Sequence, residues 1–335
     1  MKAFGHTAPR PLDAPDAIVA LEVPPPEPGP LDLLVAPRAV SINPVDYKVR
    51  ANFAPEGPHR ILGWDAAGDV LAVGSAVEGF VPGDKVYYAG DLTRPGAQAE
   101  QQTVDHRIVA KMPTSLGYAE AAALPLTAIT AWEMLFDRLR IAEGGGAGES
   151  LLIMGAGGGV GSIAIQLARA LTGLTVIGTA SRPETEAWVR EMGAQHVVSH
   201  AGPFAEAVRE IVPDGVDYVI STNGTDQHLD QIVEAMKPQA RFGLIDDPAQ
   251  FDIAKLKLKS ISLHWEFMFT RSMFATGDIA EQGRLLARVA RLVDEGQLRS
   301  TVGRHLGTLS VESLREAHAL LETGRAKGKL VLDVA

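Results

Sequence analysis

The chain has 335 residues, a net charge of −10 and no cysteine. That length exceeds one usual domain, so two are expected, and the balance of charged and apolar residues is that of an ordinary soluble globular protein. The missing cysteines exclude disulfides, a thiol nucleophile, iron–sulfur clusters and thiolate-bound zinc, while negative charge without a Lys/Arg block argues against a nucleic-acid partner.

Met1-Lys2-Ala3-Phe4-Gly5-His6 begins no apolar run long enough for a signal peptide or a membrane span. A cytoplasmic location without stable membrane insertion is the expectation. Residues 1 to 110 are rich in Pro and Gly, and Pro24-Pro25-Pro26-Glu27-Pro28-Gly29-Pro30 can be neither helix nor central strand. Short apolar runs at 33–42, 67–73, 85–88 and 104–111, with turns such as Val81-Pro82-Gly83-Asp84 between them, read as a small, irregular, barrel-like β domain. A helix is predicted from Gly117, with Glu120 placed as in a capping box. Pro125 interrupts it, and the helical pattern resumes over 127–139.

From Ser150 the chain alternates between strand and helix. Strands are predicted at 151–154, 174–180, 196–199, 216–221, 240–245 and 260–265, which describes a doubly wound parallel sheet. A helix at 278–295, a β-like segment near 300–309, a helix at 311–323 and a strand at 329–334 follow. This tail exceeds what six strands need and is expected to return to the first domain.

The first of these strands runs into Gly155-Ala156-Gly157-Gly158-Gly159-Val160-Gly161, and a helical pattern leaves it. Ala156, Gly158 and Gly161 give A-x-G-x-x-G, a weak signal alone that gains force from the strand and helix around it. Glycines let a backbone turn sharply beside a pyrophosphate, and the helix N-terminus supplies N–H donors and a favourable dipole. After the second strand an NAD site usually offers Asp or Glu to the adenosine ribose. This chain offers Ala180-Ser181-Arg182. A hydroxyl and a guanidinium suit a 2′-phosphate, so NADPH is expected over NADH. The alternative is that Arg182 is simply a solvated residue opening the next helix.

These residues, together with Ser41-Ile42-Asn43-Pro44-Val45-Asp46, Leu62-Gly63-Trp64-Asp65-Ala66-Ala67-Gly68, Ala122-Ala123-Leu124-Pro125-Leu126-Thr127 and the aromatic segment 262–271, resemble the medium-chain dehydrogenase/reductases over essentially the whole chain. Within that superfamily the chain is similar to the zinc-free quinone oxidoreductase-like enzymes, often labelled zinc-type alcohol dehydrogenase-like. The resemblance implies a GroES-like β-rich catalytic domain (1–126 and 297–335) and a Rossmann domain (127–296). Where the zinc-dependent branch carries a Cys and a His-Glu pair, this chain has Asn43 and Trp64-Asp65, and the four-cysteine structural lobe is absent. No metal is therefore expected, apart from adventitious binding by Asp46, Asp65 and a nearby His.

The resemblance places Asn43 to Tyr47 beside the nicotinamide, with Trp64 and Asp65 across the cleft. Tyr47 and Asn43 are the candidate hydrogen-bond donors to a developing oxyanion. Tyr47 reads equally as an amphipathic wall residue with its hydroxyl in water. Asp46 is expected to accept backbone N–H bonds, Trp64 to pack, and Asp65 to be either buried by design or a turn-former. Gly158, Gly159 and Val160 are expected to cradle the pyrophosphate, and Ser181 and Arg182 to bind the 2′-phosphate. His200 is a candidate beside the adenosine or a surface loop residue. Thr127 is a candidate near the nicotinamide ribose or a helix N-cap. Asn223, Leu244 and Ile245 lie at the carboxyl edge where such sheets bind ligands.

The expected activity is NADPH-dependent, zinc-free reduction of a small-molecule quinone or enone by a homodimer. The alternatives are a zinc-assisted alcohol dehydrogenase or carbonyl reductase, and a non-catalytic NADPH-binding structural or sensor protein.

Overall fold

A computed structural model describes residues 1–335. The chain divides into two compact units, Met1–Ile129 with Phe269–Ala335, and Thr130–Met268.

In the first unit, β1 (Lys2–His6) pairs antiparallel with β2 (Val19–Glu22). Next come β3 (Asp32–Ile42), α1 (Pro44–Asn52) and β4 (Arg60–Ile61), which pairs with β1. β5 (Ala66–Val73), β6 (Lys85–Tyr88), β7 (Gln102–Asp105), β8 (Ala110–Lys111), α2 (Tyr118–Ala122) and α3 (Pro125–Trp132) follow. The early part of β3 alternates in and out, as a half-buried strand should. Its last residues, Ala39–Ile42, are buried throughout, because the strand dives into the core there.

The helix α1 was not legible as apolar periodicity. It begins because Asn43 is an extended cap, Pro44 presets the first turn, and Asp46 in that turn accepts the Asn43 N–H. The run 104–111 is also not one strand. A 3-10 turn at His106–Ile108 breaks it, with the Asp105 carboxylate accepting the Arg107 N–H. The helical stretch is interrupted ahead of Pro125, as expected: α2 ends at Ala122, Pro125 opens α3, and the helical path continues as a π-helix over Glu133–Arg138.

The second unit holds β9 (Ser150–Met154), α4 (Gly159–Leu171), β10 (Thr175–Thr179), α5 (Pro183–Glu191) and β11 (His196–Val198). These are followed by α6 (Ala205–Ile211), β12 (Val216–Ser221), α7 (Thr225–Ala235), β13 (Met236–Leu244) and β14 (Ser262–Trp265). Its six strands run in the order β11-β10-β9-β12-β13-β14 with parallel pairing throughout. Counted from β9 that is 3-2-1-4-5-6, the order of a doubly wound dinucleotide fold. Buried Leu152, Met154, Ile177, Val219, Ile232 and Phe242 knit sheet and helices together. β13 starts earlier than its apolar run, since Lys237-Pro238-Gln239 lead into it with a register shift against β12.

The chain then returns to the first unit with α8 (Thr270–Met273), α9 (Glu281–Asp294), β15 (Val302–Thr308), α10 (Val311–Glu322) and β16 (Lys329–Asp333). Residues 269–296 thus group with the first unit, as expected for the tail that begins with the helix at 278–295, whereas the resemblance implied a domain boundary at 296. The cause is packing. The Tyr87 hydroxyl donates to the Leu286 carbonyl at 2.5 Å, and Asp294 accepts the N–H and hydroxyl groups of Thr114 and Ser115. β16 lies between β15 and β3, so the last strand completes the first unit's main sheet.

Candidate functional site

The end of β3 delivers Ser41, Ile42 and Asn43 into a buried polar cluster. Trp64 and Asp65 reach the same cluster from the turn at Gly63, whose φ of +105° suits glycine. The Asn43 backbone N–H donates to Asp46 Oδ2 at 2.7 Å. Its side-chain Nδ2 donates to Asp65 Oδ2 at 3.0 Å and lies 3.3 Å from the Ser41 and Trp64 carbonyls. Asp65 Oδ1 accepts the Leu126 N–H at 2.9 Å, at the start of α3. Asp46 Oδ1 is 3.4 Å from Gln98 Nε2.

One member of this cluster escaped sequence reasoning. Lys329 is fully buried, and its ammonium lies 3.0 Å from Asp65 Oδ2 and 3.2 Å from the Ile42 carbonyl, in contact also with Asn43 Oδ1. The signal was available as a lysine inside the apolar run Lys329-Leu330-Val331-Leu332. Burial pushes the Asp46 carboxyl up to about 7 against the opposing pull of the Asn43 N–H and the Lys329 charge. Asp65 is also raised by burial, while Lys329, Asn43 and Leu126 act in the opposite direction.

The arrangement assigns different work to each residue. Asn43 has two amide protons and three carbonyl or carboxylate acceptors around them, so its amide is occupied within the protein. Trp64 is buried, stacks edge-on against Phe269 at 6.5 Å between centroids, and gives its indole N–H to the Asp91 carbonyl. Tyr47 differs from both: it is half-buried on α1, where its hydroxyl remains available. Thr127 lies within α3 and directs its hydroxyl to the Leu124 carbonyl at 3.1 Å, so it is not an N-cap. No group of three or more His, Cys, Asp or Glu side chains is gathered to hold a metal ion.

In the second unit, the glycine turn joins β9 to α4. Gly155 has φ +71°, and a Cβ on it would collide with Thr222 Oγ1 at 2.2 Å. Gly161 packs against the turn itself, where a Cβ would stand 2.6 Å from the Ala156 Cα. Gly158 is the extended cap of α4, with the half-exposed Gly159 and Val160 following it in the first helical turn. First-turn N–H groups lack intrahelical acceptors and carry the positive end of the helix dipole. A Cβ at Gly158 would meet only the Gly155 carbonyl oxygen at 3.4 Å, leaving the open side of the turn unobstructed. Such a cradle fits a pyrophosphate.

Beyond β10, Ser181 is exposed and Arg182 caps α5, its Nε 3.4 Å from a Glu184 carboxylate oxygen. His200 lies two residues past the end of β11. It packs edge-on against His228 at 5.6 Å and feels the Arg182 charge, and burial holds both imidazoles below their ordinary range. His200 and His228 therefore pack as a pair of imidazoles held toward the neutral form, and His228 was not foreseen. Asn223 is exposed beside Gly155, while Leu244 is buried at the end of β13 and Ile245 is half-buried. Asp246 accepts the Thr225 hydroxyl at 2.7 Å and its N–H at 3.1 Å, which ties it to the start of α7.

A parallel sheet of this strand order with a glycine turn, in one chain with a β-rich unit bearing a buried polar cluster, defines a nicotinamide-dependent oxidoreductase architecture. Comparison with known proteins agrees. Residues 29–127 match the alcohol dehydrogenase GroES-like domain and residues 192–332 match a zinc-binding dehydrogenase model. A zinc-type alcohol dehydrogenase-like protein of Staphylococcus aureus (strain MSSA476) is 39% identical over 100% of both chains. A crystal structure from Rhizobium etli CFN 42, provisionally described as a zinc-dependent alcohol dehydrogenase, is 50% identical, with a TM-score of 0.96 over 99% of this chain and 98% of its own. The 2-methylene-furan-3-one reductase of Solanum lycopersicum is 29% identical over 88% of this chain and 69% of its own. The chain belongs to the medium-chain dehydrogenase/reductase superfamily, among the zinc-type alcohol dehydrogenase-like proteins. No helix is long and apolar enough to cross a membrane.

Proposed function

We propose that the protein is an NADPH-dependent reductase that transfers hydride to quinones or α,β-unsaturated carbonyls without zinc. The observation that carries this reading is the chemistry of Asn43, Trp64 and Asp65. These stand where the zinc-dependent branch places its Cys, His and Glu, and their polar atoms are engaged by neighbouring protein groups. Zinc catalysis needs three nitrogen, sulfur or carboxylate ligands and an open position. An amide, an indole and a carboxylate paired with Lys329 do not fit that need.

A bound dihydronicotinamide supplies the hydride. The acceptor must then spread negative charge onto a distant oxygen, as quinones and conjugated carbonyls do. We assign the Tyr47 hydroxyl as the donor to that oxygen, since the Asn43 amide is committed elsewhere. Ser181 and Arg182 favour a 2′-phosphate and so NADPH. The name of the tomato relative supports an enone among the acceptors. Trp265 and Phe267, 54% and 50% exposed at the edge of the parallel sheet, support a homodimer joined along β14. Sedimentation of the protein and of Trp265→Glu tests that assembly.

The deciding experiment follows NADPH oxidation by metal-analysed, chelator-treated protein with a quinone, an enone and a simple aldehyde. Turnover of either conjugated acceptor, with none of the aldehyde, is the expected result. Aldehyde reduction that returns only with zinc would replace this reading with a metal-assisted dehydrogenase. Tight NADPH binding with no turnover would replace it with a non-catalytic cofactor-binding protein.

A further inference from the structure

Lys329 is a fully buried cation held by three oxygens from two segments of the first unit. Its place is set by sheet register. Leu330 pairs with Ile42, so Lys329 stands opposite Asn43 across the β16–β3 ladder. From there the ammonium meets Asn43 Oδ1 and Asp65 Oδ2, which are themselves joined by the Asn43 amide at 3.0 Å.

Each partner starts a helix. Asn43 caps α1, with the Asp46 carboxylate accepting its N–H, and α1 carries Tyr47. Asp65 accepts the Leu126 N–H at the first turn of α3, which carries Thr127. One ammonium therefore fixes the starts of both helices. A metal ion bound by protein ligands does comparable work when it draws separate segments to one point. Here the cation is tethered to the chain and needs no loading.

We infer that Lys329 is a positioning residue of the candidate active site, a built-in cation that sets the placement of Tyr47 through Asn43 and of Thr127 through Asp65. The inference rests on the reading of Tyr47 and Thr127 as site residues. The positioning itself has a readout that needs no turnover.

The test compares the parent with Lys329→Ala and Lys329→Met by amide hydrogen exchange over residues 44–52 and at Leu126, and by steady-state kinetics. Lys329→Met fills the volume without the charge. Lys329→Ala leaves space for n-propylamine, which restores the missing atoms. Both variants are expected to exchange at least tenfold faster in these segments, with kcat down at least tenfold and the NADPH dissociation constant within threefold. Propylamine should reverse at least half of the change in Lys329→Ala, while 1-propanol should not, and neither should act on Lys329→Met. If Lys329→Met exchanges and turns over like the parent, or if the alcohol rescues as well as the amine, the cation has no positioning role. If Lys329→Ala does not fold, Lys329→Met against the parent decides alone. If the parent reduces no acceptor, the proposed function fails, and the exchange data still decide the role of Lys329.

Discussion

A Cβ placed on Gly157 would stand 2.3 Å from the Cγ2 of Thr185, so the glycine turn and the first turn of α5 are in direct packing contact. The neighbouring Gly158 has no such obstacle and an ordinary negative φ of −79°. The two positions therefore separate folding from cofactor binding. Gly157→Ala should cost about 1–3 kcal/mol through overpacking. Gly158→Ala should keep Tm within about 3 °C, because exchanging one weak cap for another costs little more than about 1 kcal/mol. Its methyl group would still obstruct a pyrophosphate and lower NADPH affinity at least tenfold. Thermal melts beside fluorescence titrations check both; equal affinity in Gly158→Ala would remove the pyrophosphate from this turn.

Arg182→Ala should weaken NADPH binding while leaving NADH unchanged. A charge-assisted hydrogen bond contributes about 1.5–3 kcal/mol, which is roughly 10- to 100-fold in dissociation constant. Calorimetric titration with both cofactors measures the difference. A uniform loss for both would show that Arg182 serves the helix and not the phosphate.

Tyr47→Phe removes a hydroxyl from a half-buried position without disturbing the capping of α1 by Asn43 and Asp46. Loss of one oxyanion donor lowers kcat by about 100-fold, and Tm should not move. Asn43→Ala should behave in the opposite way, losing stability first, because it strips a ligand from Lys329 and a cap from α1. Unchanged kcat in Tyr47→Phe would send the donor role elsewhere.

The Asp46 carboxyl, pushed up to about 7 from an ordinary 3.8, carries a pH signature. A raised acid holds its proton in the folded state over a range where the unfolded chain has lost it. Stability from this group is therefore present below about pH 4 and falls as pH climbs toward 7. Asp46→Asn retains an oxygen for the Asn43 N–H and removes the titration. Its Tm relative to the parent should rise between pH 5.5 and 8 by about 3 °C. Using the difference cancels the histidines that titrate in the same range. A constant gap would place the Asp46 carboxyl back among ordinary carboxylates.

His318 has both ring nitrogens buried without hydrogen-bond partners, and burial lowers its pKa to about 3. The neutral ring leaves one N–H unsatisfied, which costs about 1–3 kcal/mol. His318→Leu should therefore raise Tm by about 2–4 °C at pH 7.5. The sign for a depressed imidazole is the reverse of that for Asp46: the native form is disfavoured as pH falls below 6.5, progressively toward 3. The variant should flatten that acid limb, and melts from pH 4 to 7.5 read both effects.

Local pattern made much of this molecule legible. The strand entering Gly155, the helix leaving Gly161 and the βα alternation after it carry periodic signals, and the six strands fall where the apolar runs lie. The glycine turn was readable for the same reason, since residues 155–161 are contiguous. The buried polar cluster was less readable. Asn43, Asp65 and Lys329 meet only because β16 pairs with β3, a relationship between residues 286 apart. That pairing also decides whether the Asn43 amide is free, which composition around Asn43 cannot reveal. α1 was missed because capping, and not periodicity, makes it a helix.

The position of β16 also constrains how the protein is made. The second unit is a run of consecutive residues, 130–268, and can form as soon as those residues are translated. The first unit must wait, with β3 lacking a neighbour, until Lys329–Asp333 has left the ribosome. The nascent chain thus carries a finished parallel sheet while the first unit's main sheet still lacks β16 for the whole of that interval. Its aggregation risk is concentrated in an exposed β3 edge, the kind of surface that chaperones shield.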